Sequence, residues 1–254
     1  MKFDDFDKKM RVYEESLDQY ILPDMYIVAR LDGRSFTRLT KDICKFKAPF
    51  DEKFRDLMVE TVMSLMNCGF RIIYGYTQSD EISLLFSPDE NTFGRKVRKI
   101  NTTLAGEASA AFSMLLGKLA TFDCRVAPLP NISRVVDYFI WRQEDACRNS
   151  LNGYCYWMSR KEGADKRQAT SSLQGKDASY KNEFLFQRGI NFNDTPVWQR
   201  RGIGLYYQEI EKEGFNPIKK ENVVTKRREI TTDYELPIKE EYRRYIEGFF
   251  ERDI

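Results

Sequence analysis

The stretch YGYTQSDEISLLF, residues 74–86, sets two apolar runs on either side of a short polar segment. Residues 70–76 and 81–86 are rich in aliphatic and aromatic residues, which is typical of strands, and the short segment between them predicts a hairpin. Asp80 and Glu81 lie where the second strand begins. A carboxylate pair leaving water costs free energy, because like charges repel and burial disfavours ionisation. A bound cation, an arginine or lysine, or open solvent must therefore compensate the two charges.

The segments around this hairpin extend it into a fold. Residues 25–31 predict a strand that ends at Asp32-Gly33, and residues 121–126 predict another. Helices are predicted at 48–67, where apolar residues recur at helical spacing, and at 92–119. The order β-α-β-β-α-β is typical of the ferredoxin-like unit, an antiparallel four-stranded sheet with both helices on one face. We therefore expect an α+β fold whose other face is open to a substrate.

Composition limits the functions open to this chain. Its 254 residues are 42% hydrophobic and 31% charged, as in an ordinary globular protein, and the net charge of +2 restricts any nucleic-acid surface to a local patch. The absence of histidine excludes imidazole bases and histidine metal sites. Five cysteines without CxxC spacing predict reduced thiols in a cytosolic protein rather than a zinc site or disulfides.

The ends of the chain and its second half give weaker signals. The N-terminal MKFDDFDKKM is polar and acidic, and no apolar run reaches about 18 residues, so we expect neither a signal peptide nor a membrane span. We expect a cytoplasmic protein with a palm-like catalytic domain at 1–130 and a C-terminal α/β extension at 131–254, together forming one compact unit. Residues 137–161 predict a helix. The basic run at 225–229 could contact a phosphate backbone or form an exposed loop.

Two acidic sites are predicted to meet in space. In the ferredoxin-like topology the first strand lies beside the hairpin, so Asp32 approaches Asp80 and Glu81 although it is far from them in sequence. Carboxylate oxygens are ligands for Mg²⁺, which is commonly shared between one or two carboxylates and substrate phosphates. Two such ions can bind the attacking and leaving oxygens in phosphoryl transfer. A purely structural interpretation is also open, because Asp-Gly is a common turn and Ser-Asp-Glu at a hairpin is often solvated.

The loop after the first strand predicts a phosphate site. Gly33 has no Cβ, so the backbone there can approach a phosphate closely. Five successive backbone N–H groups could form an anion nest: Gly33, Arg34, Ser35, Phe36 and Thr37. The sequence thus predicts phosphate binding next to the carboxylates, unless the segment is an ordinary solvated turn.

Six ordered blocks between about residues 28 and 205 resemble a known family. The blocks are RLDGRSF, YTQSDEIS, FDCRV, WRQEDA, LQGKDASYKNEFLF and INFND, and they are similar to the tRNA-His guanylyltransferase superfamily with its Thg1-like branch. The resemblance implies a catalytic domain like the palm of polymerases. It implies metal-dependent addition of nucleotides to the 5′ end of tRNA in the 3′-to-5′ direction, with ATP and GTP or another NTP as substrates and two Mg²⁺ per site. It also implies a homotetramer, a dimer of dimers.

The resemblance further implies roles for individual residues. Asp32 and Asp80 would bind the metal ions, with the carbonyl of Gly33 as a further ligand, and Glu81 would support the catalytic site. The nucleotide would be bound by the loop backbone and two side chains: Gly33, Arg34, Ser35, Phe36, Thr37, Ser79 and Lys47. RNA or phosphate would be bound by six polar residues, the last three of which could instead make only local hydrogen bonds: Arg95, Lys96, Lys99, Lys181, Asn182 and Asn193.

The chain departs from the family pattern in two blocks. Residues 147–153, CRNSLNG, stand where members that act on tRNA-His carry His-Ile-Asn-Asn-Leu-Tyr-Asn, and residues 47–51, KAPFD, stand where Lys-Pro-Asn-Asp is usual. The first departure favours the Thg1-like branch, and hence template-directed repair of 5′-truncated tRNA, over addition of G−1 to tRNA-His. A palm fold is also compatible with a nucleotidyl cyclase or with a non-catalytic tRNA-binding protein. The intact carboxylates argue against a binding protein, since they would repel phosphate.

Overall fold

A computed structural model describes residues 2–216 and 221–251 of the chain. Its strands are β1 Tyr26–Gly33, β2 Ile72–Gln78, β3 Glu81–Phe86, β4 Phe122–Leu129, β5 Ile203–Asn216 and β6 Glu221–Asp233. Its α-helices are α1 Phe3–Glu15, α2 Phe36–Arg38, α3 Glu52–Met66, α4 Val97–Leu116, α5 Ile132–Lys161, α6 Lys166–Leu173, α7 Ala178–Phe186, α8 Val197–Arg201 and α9 Lys239–Glu251. Short non-α turns lie at Leu39–Ile43, Thr92–Arg95 and Phe192–Asp194.

The strands form one antiparallel sheet in the order β4-β1-β3-β2-β5-β6. The first four strands of this order are those of the ferredoxin-like unit, so the predicted α+β class and strand arrangement are confirmed. Strand β3 has the predicted bounds, and the hairpin turn between β2 and β3 is Ser79-Asp80, with Ser79 in the left-handed region at φ 55°. The turn places Asp80 at the end of the sheet.

Helices α3 and α4 cover one face of the sheet, as predicted. Helix α3 begins after Asp51, whose side chain accepts hydrogen bonds from the backbone N–H groups of Lys53 and Phe54. Apolar residues on alternate positions of the strands pack against the apolar faces of both helices, and the resulting core includes Leu31, Ile82, Leu84, Met58, Val62, Leu104 and Phe112. This layer fixes which strand residues point away from the helices.

The prediction that the second face is open to substrate is wrong. Helices α5 and α9 cover it, and a second core joins Val28, Tyr74 and Leu85 of the sheet to Phe139 and Phe249 of the helices. The hydroxyl groups of Tyr74 and Tyr242, in α9, lie 3.2 Å apart inside this core. The reason is the composition of the strands, because alternate residues on both faces are apolar and each face needs a covering layer. A substrate must therefore approach the end of the sheet.

The second half of the chain extends the same sheet. Only residues 203–206 of β5 pair with β2, so the rest of β5 pairs with β6 alone and forms a two-stranded ribbon. The basic run at 225–229 lies within β6, so its interpretation as a loop is wrong, and Arg228 lies over the ring of Tyr207 at 4.1 Å. The division at residues 130 and 131 stays a prediction, and residues 217–220 and 252–254 of the second part lie outside the described residues.

None of the described helices combines the length and apolar character needed to cross a membrane.

Candidate active site

Asp32 and Asp80 meet at the end of the sheet. Asp32 lies opposite Glu81 in the β1–β3 pair, and the backbone N–H of Gly33 donates to the carbonyl oxygen of Asp80 at 3.0 Å. The hydroxyl of Ser79 donates to Oδ1 of Asp80 at 3.1 Å. The short hairpin turn therefore holds Asp80 against the end of β1, as the ferredoxin-like topology predicts.

The Asp80 carboxylate lies in an unfavourable electrostatic environment. Burial raises its pKa from 3.8 to about 6, and the negative charges of Asp32 and Glu81 act in the same direction, against the hydrogen bond from Ser79. No lysine or arginine forms a salt bridge with Asp80 among the described residues. Asp32 has only a weak partner, Nη2 of Arg30 at 3.5 Å. This carboxylate pair thus lacks a strong protein counter-charge.

Glu81 is in the opposite situation. One of its carboxylate oxygens binds Nη2 of Arg30 and the other binds Nη2 of Arg142 at 2.9 Å. Arg142 lies in α5, its side chain is 4% exposed, and it also binds Asp145 at 2.6 Å. This corrects the assignment of Glu81 as a catalytic residue, because both its oxygens are occupied by arginines. Glu81 instead anchors the Asp80 turn to helix α5.

The Asp32–Asp80 pair fits a hard divalent cation. No group of three or more histidine, cysteine or acidic side chains converges on a metal site within the described residues. A cation bound by two carboxylates would complete its coordination with water and substrate oxygens, as Mg²⁺ commonly does. The raised pKa of Asp80 supports this fit, because a bound cation would supply the counter-charge that the protein lacks there.

The predicted anion nest is only partly available. The N–H of Gly33 donates to Asp80, and that of Arg34 donates to the carbonyl of Thr121 at 2.8 Å, so neither can bind a phosphate. The N–H groups of Ser35, Phe36 and Thr37 have no backbone or side-chain acceptor in the described part of the chain. The nest therefore contracts from five residues to three.

Gly33 is required by packing rather than by phosphate contact. A Cβ at this position would lie 2.5 Å from the ring of Phe36. Phe36 is 2% exposed, and its ring packs among Phe54, Phe112 and Phe122. The side chain of Phe36 thus anchors the loop in the core, and only the backbone of this residue remains for ligand binding.

A pocket of about 150 Å³ opens beside Asp80. Its wall combines aromatic rings with cationic side chains, which suits a base and its phosphates. Of the predicted nucleotide residues it includes Phe36, Thr37, Lys47 and Ser79, whereas Gly33, Arg34 and Ser35 lie outside it. Six further residues of the wall are missing from the sequence prediction: Lys41, Phe46, Phe50, Phe54, Arg55 and Trp198.

The additional cation Lys41 has a distinctive environment. Burial lowers the pKa of its ammonium group, and Nζ lies 4.9 Å from the centre of the Trp157 ring in α5. Trp198, in α8, makes an edge contact with Phe50 at 5.7 Å between ring centres. No local signal marks these residues, since they reach the pocket from elements more than a hundred residues apart.

The predicted phosphate residues near the start of α4 lie at the other end of the sheet. Arg95 is 9% exposed, and its guanidinium donates to the carbonyl of Met25, just before β1. Residues 25 and 32 are separated by about 23 Å along a strand. Burial corrects the assignment of Arg95 to phosphate binding. Lys96 binds Asp18 at 2.7 Å, and Lys99 is exposed beside the Phe93 ring, so any RNA contact by these two lies far from Asp80.

The three remaining predicted residues lie outside the pocket. The side chain of Asn182, in α7, donates to the carbonyl of Ala178 at 2.8 Å, which is a local hydrogen bond within its own helix. The carbonyl of Lys181 accepts a hydrogen bond from the thiol of Cys155 at 3.4 Å, which links α7 to α5. The backbone N–H of Asn193 donates to Asn191. Contact of these residues with RNA stays a prediction.

An antiparallel palm-like sheet with paired carboxylates beside a cation-lined pocket places this protein in the class of nucleotidyltransferases. Residues 7–130 match the family model described as Thg1, tRNAHis guanylyltransferase, and residues 133–244 match the model of the Thg1 C-terminal domain. The chain belongs to the tRNA(His) guanylyltransferase family. The resemblance drawn from the six sequence blocks is thereby confirmed.

Individual relatives agree with this assignment. A probable tRNA(His) guanylyltransferase of Drosophila melanogaster is 33% identical over 203 residues, which cover 76% of this chain and 71% of that protein. The tRNA(His) guanylyltransferase of Debaryomyces hansenii is 30% identical over 211 residues, covering 78% and 79%. A bacterial Thg1-like protein solved in complex with ATP superposes with a TM-score of 0.77 at 28% identity, covering 96% of this chain and 98% of that one. Its complex with GTP gives 0.73 over 98% and 100%.

Proposed function

We propose that this protein adds nucleotides to the 5′ end of tRNA in the 3′-to-5′ direction by a metal-dependent reaction. The observation that carries the proposal is the Asp32–Asp80 pair, which lacks a strong protein counter-charge and borders the pocket. Nucleotides bound to the similar bacterial protein, ATP and GTP, are the substrates that such a reaction needs. Family membership favours this enzyme over a nucleotidyl cyclase or a non-catalytic RNA-binding protein.

Each part of the site has a role in this reaction. Asp32 and Asp80 would bind Mg²⁺, which supplies charge neutralisation and orientation of the phosphates when present. The open N–H groups of residues 35–37 and the cations of Lys41 and Lys47 would bind the triphosphate, and the aromatic wall would hold the base. The ion pairs of Glu81 keep the turn that carries Asp80 in place. Phosphoryl transfer of this kind depends on positioning and charge, so a chain without histidine can perform it.

We further propose that the preferred reaction is template-directed repair of 5′-truncated tRNA. The support is the segment CRNSLNG at 147–153, which lies within α5 and differs from the block associated with tRNA-His. Cys147 is exposed, Asn149 binds the carboxylate of Asp145 at 3.3 Å and Leu151 is in the core, so two of these side chains are held by the fold. Base pairing with the opposite strand of the acceptor stem would then select the nucleotide. Addition of G−1 to tRNA-His, the activity that the curated relatives are named for, is the second candidate.

The test is incorporation of labelled NTPs, with Mg²⁺ and ATP, into two substrates. One is a tRNA that lacks its first 5′ nucleotide, and the other is a full-length tRNA-His transcript without its extra G. We expect preferential restoration of the truncated tRNA by the complementary nucleotide. Guanine addition to tRNA-His whatever base lies opposite would replace the repair proposal with the second candidate.

Two variants separate the site from the substrate question. Asp80→Asn should abolish incorporation into both tRNAs. Asp123→Asn is the matched control, because Asp123 lies opposite Asp32 on β4 but its side chain is 63% exposed and 3.6 Å from Arg125. Full activity of Asp80→Asn would refute the site. Failure of the wild type on both tRNAs, even from a 5′-triphosphate, would refute nucleotide addition itself.

A further inference from the structure

Helix α1 is a surface without a partner inside its own chain. It spans Phe3–Glu15, and none of its residues is buried. A 13-residue helix is marginally stable in water by itself, so helix formation at this length normally depends on packing of an apolar face. The apolar side chains of α1 are nevertheless exposed, from 46% at Met10 to 78% at Phe3.

The apolar residues of α1 follow a heptad pattern. Phe3 and Met10 occupy the a positions, and Phe6 and Tyr13 the d positions, with the alternating spacing of three and four residues that defines a coiled-coil seam. Leu17 continues the pattern just beyond the helix and is 89% exposed. A narrow a/d seam of this kind is suited to one partner helix rather than to a broad hydrophobic surface.

The charges beside the seam select the partner and its direction. Lys2 and Lys9 occupy the g positions, and Asp7 and Glu14 the e positions. In a parallel pair each g residue faces the e residue five positions later on the other helix, so both lysines would meet carboxylates. In an antiparallel pair g faces g and e faces e, which would oppose like charges. RNA is a poorer partner, because five carboxylates on α1 would repel its phosphates: Asp4, Asp5, Asp7, Glu14 and Glu15.

The base of α1 is fixed to the body of the protein. Lys96 at 2.7 Å and Arg98 both bind Asp18, whose side chain is 3% exposed, and the carbonyl of Gln19 accepts from the N–H of Val97 at 2.9 Å. This anchor lies at the end of the sheet opposite Asp80. A partner on α1 would therefore leave the pocket accessible.

We propose that α1 pairs with α1 of a second copy of this chain as a parallel two-stranded coiled coil. The seam buries Phe3, Phe6, Met10 and Tyr13 of both copies. Lys2 of each copy faces Asp7 of the other, and Lys9 faces Glu14. This contact is one of the interfaces that hold the protein as an even-numbered oligomer.

The test measures the mass of the full chain in solution by sedimentation equilibrium. Met10→Lys places a charge in the seam and should halve the mass of the oligomer. Val12→Lys is the matched control, since Val12 is 66% exposed on the same helix but lies outside the seam, and its mass should equal that of the wild type. A monomeric wild type, or equal masses for the two variants, would overturn the proposal.

The direction of pairing is tested by exchanging charges. Lys9→Glu and Glu14→Lys should each weaken association by about fivefold to thirtyfold, because attraction becomes repulsion at two symmetric contacts. The double variant Lys9→Glu/Glu14→Lys should restore wild-type association. A double variant that associates no better than the single ones would overturn the parallel arrangement.

A cross-link provides an independent measurement. In a Cys147→Ser background, which removes the exposed native thiol, Met10→Cys should form a disulfide between copies, since a parallel seam places residue 10 beside itself. Val12→Cys in the same background should not. Cross-linking of both variants to the same extent would show random collision and count against the coiled coil.

Discussion

Replacing Asp80 with asparagine should stabilise the metal-free protein while it abolishes activity. The wild-type carboxylate is buried beside Asp32 and Glu81, and its pKa is raised from 3.8 to about 6. Between these two pH values the folded protein retains a proton that the unfolded chain has released. Stability therefore falls as the pH rises through this window, and the full penalty is present above about pH 6.

The size of the effect follows from the pKa. At about 1.4 kcal/mol for each pH unit, a change from 3.8 to about 6 corresponds to about 3 kcal/mol at pH 8. Asparagine keeps the shape of the side chain and its ability to accept from Ser79 but carries no charge. We therefore expect Asp80→Asn to raise the free energy of unfolding by about 3 kcal/mol at pH 8, and by about half of that at pH 5.

The measurement is urea unfolding in the presence of EDTA at both pH values. Asp123→Asn is the matched control, because it removes an exposed carboxylate from the same end of the sheet and should change stability by less than about 0.5 kcal/mol. Addition of Mg²⁺ should stabilise the wild type but not Asp80→Asn. If Asp80→Asn were no more stable than the control at pH 8, the reasoning from desolvation and like-charge repulsion would be refuted.

Three other substitutions test the loop, the ion pairs and the pocket. Gly33→Ala should lower the free energy of unfolding by about 1–3 kcal/mol, since its Cβ would lie 2.5 Å from an aromatic ring, whereas Gly106→Ala, which meets open space in α4, should raise it by about 0.5–1 kcal/mol; thermal unfolding of both compares them. Arg142→Ala should cost about 2–4 kcal/mol in urea unfolding because it removes a buried partner of the hairpin carboxylate, while Arg148→Ala, at a 73% exposed side chain, should cost under about 1 kcal/mol; similar costs would contradict the anchoring role. Trp198→Ala should raise the KM for the incoming nucleotide about tenfold or more in steady-state assays, with a smaller change in kcat, and an unchanged KM would remove Trp198 from the nucleotide site.

Local patterns in the sequence were sufficient for the framework of the protein. Alternation of apolar residues and the short polar turn predict the hairpin at 70–86, and β3 has the predicted bounds at 81–86. Asp51 caps α3 because its side chain meets N–H groups only two and three residues away. The topology then brings Asp32 to Asp80, since strand order follows from the order of elements once the ferredoxin-like unit is recognised.

The partners and burial of side chains were decided by the tertiary structure. The two acidic residues of the hairpin are compensated differently, because arginines neutralise Glu81 while Asp80 is left for a cation, and one of those arginines lies 61 residues away on α5. Arg95 looks like a surface cation in sequence but is buried where α4 meets the start of β1. Trp198 and Lys41 reach the pocket from different helical segments. Charge compensation and desolvation depend on which elements pack together, and such long-range contacts leave no periodic or local signal in the chain.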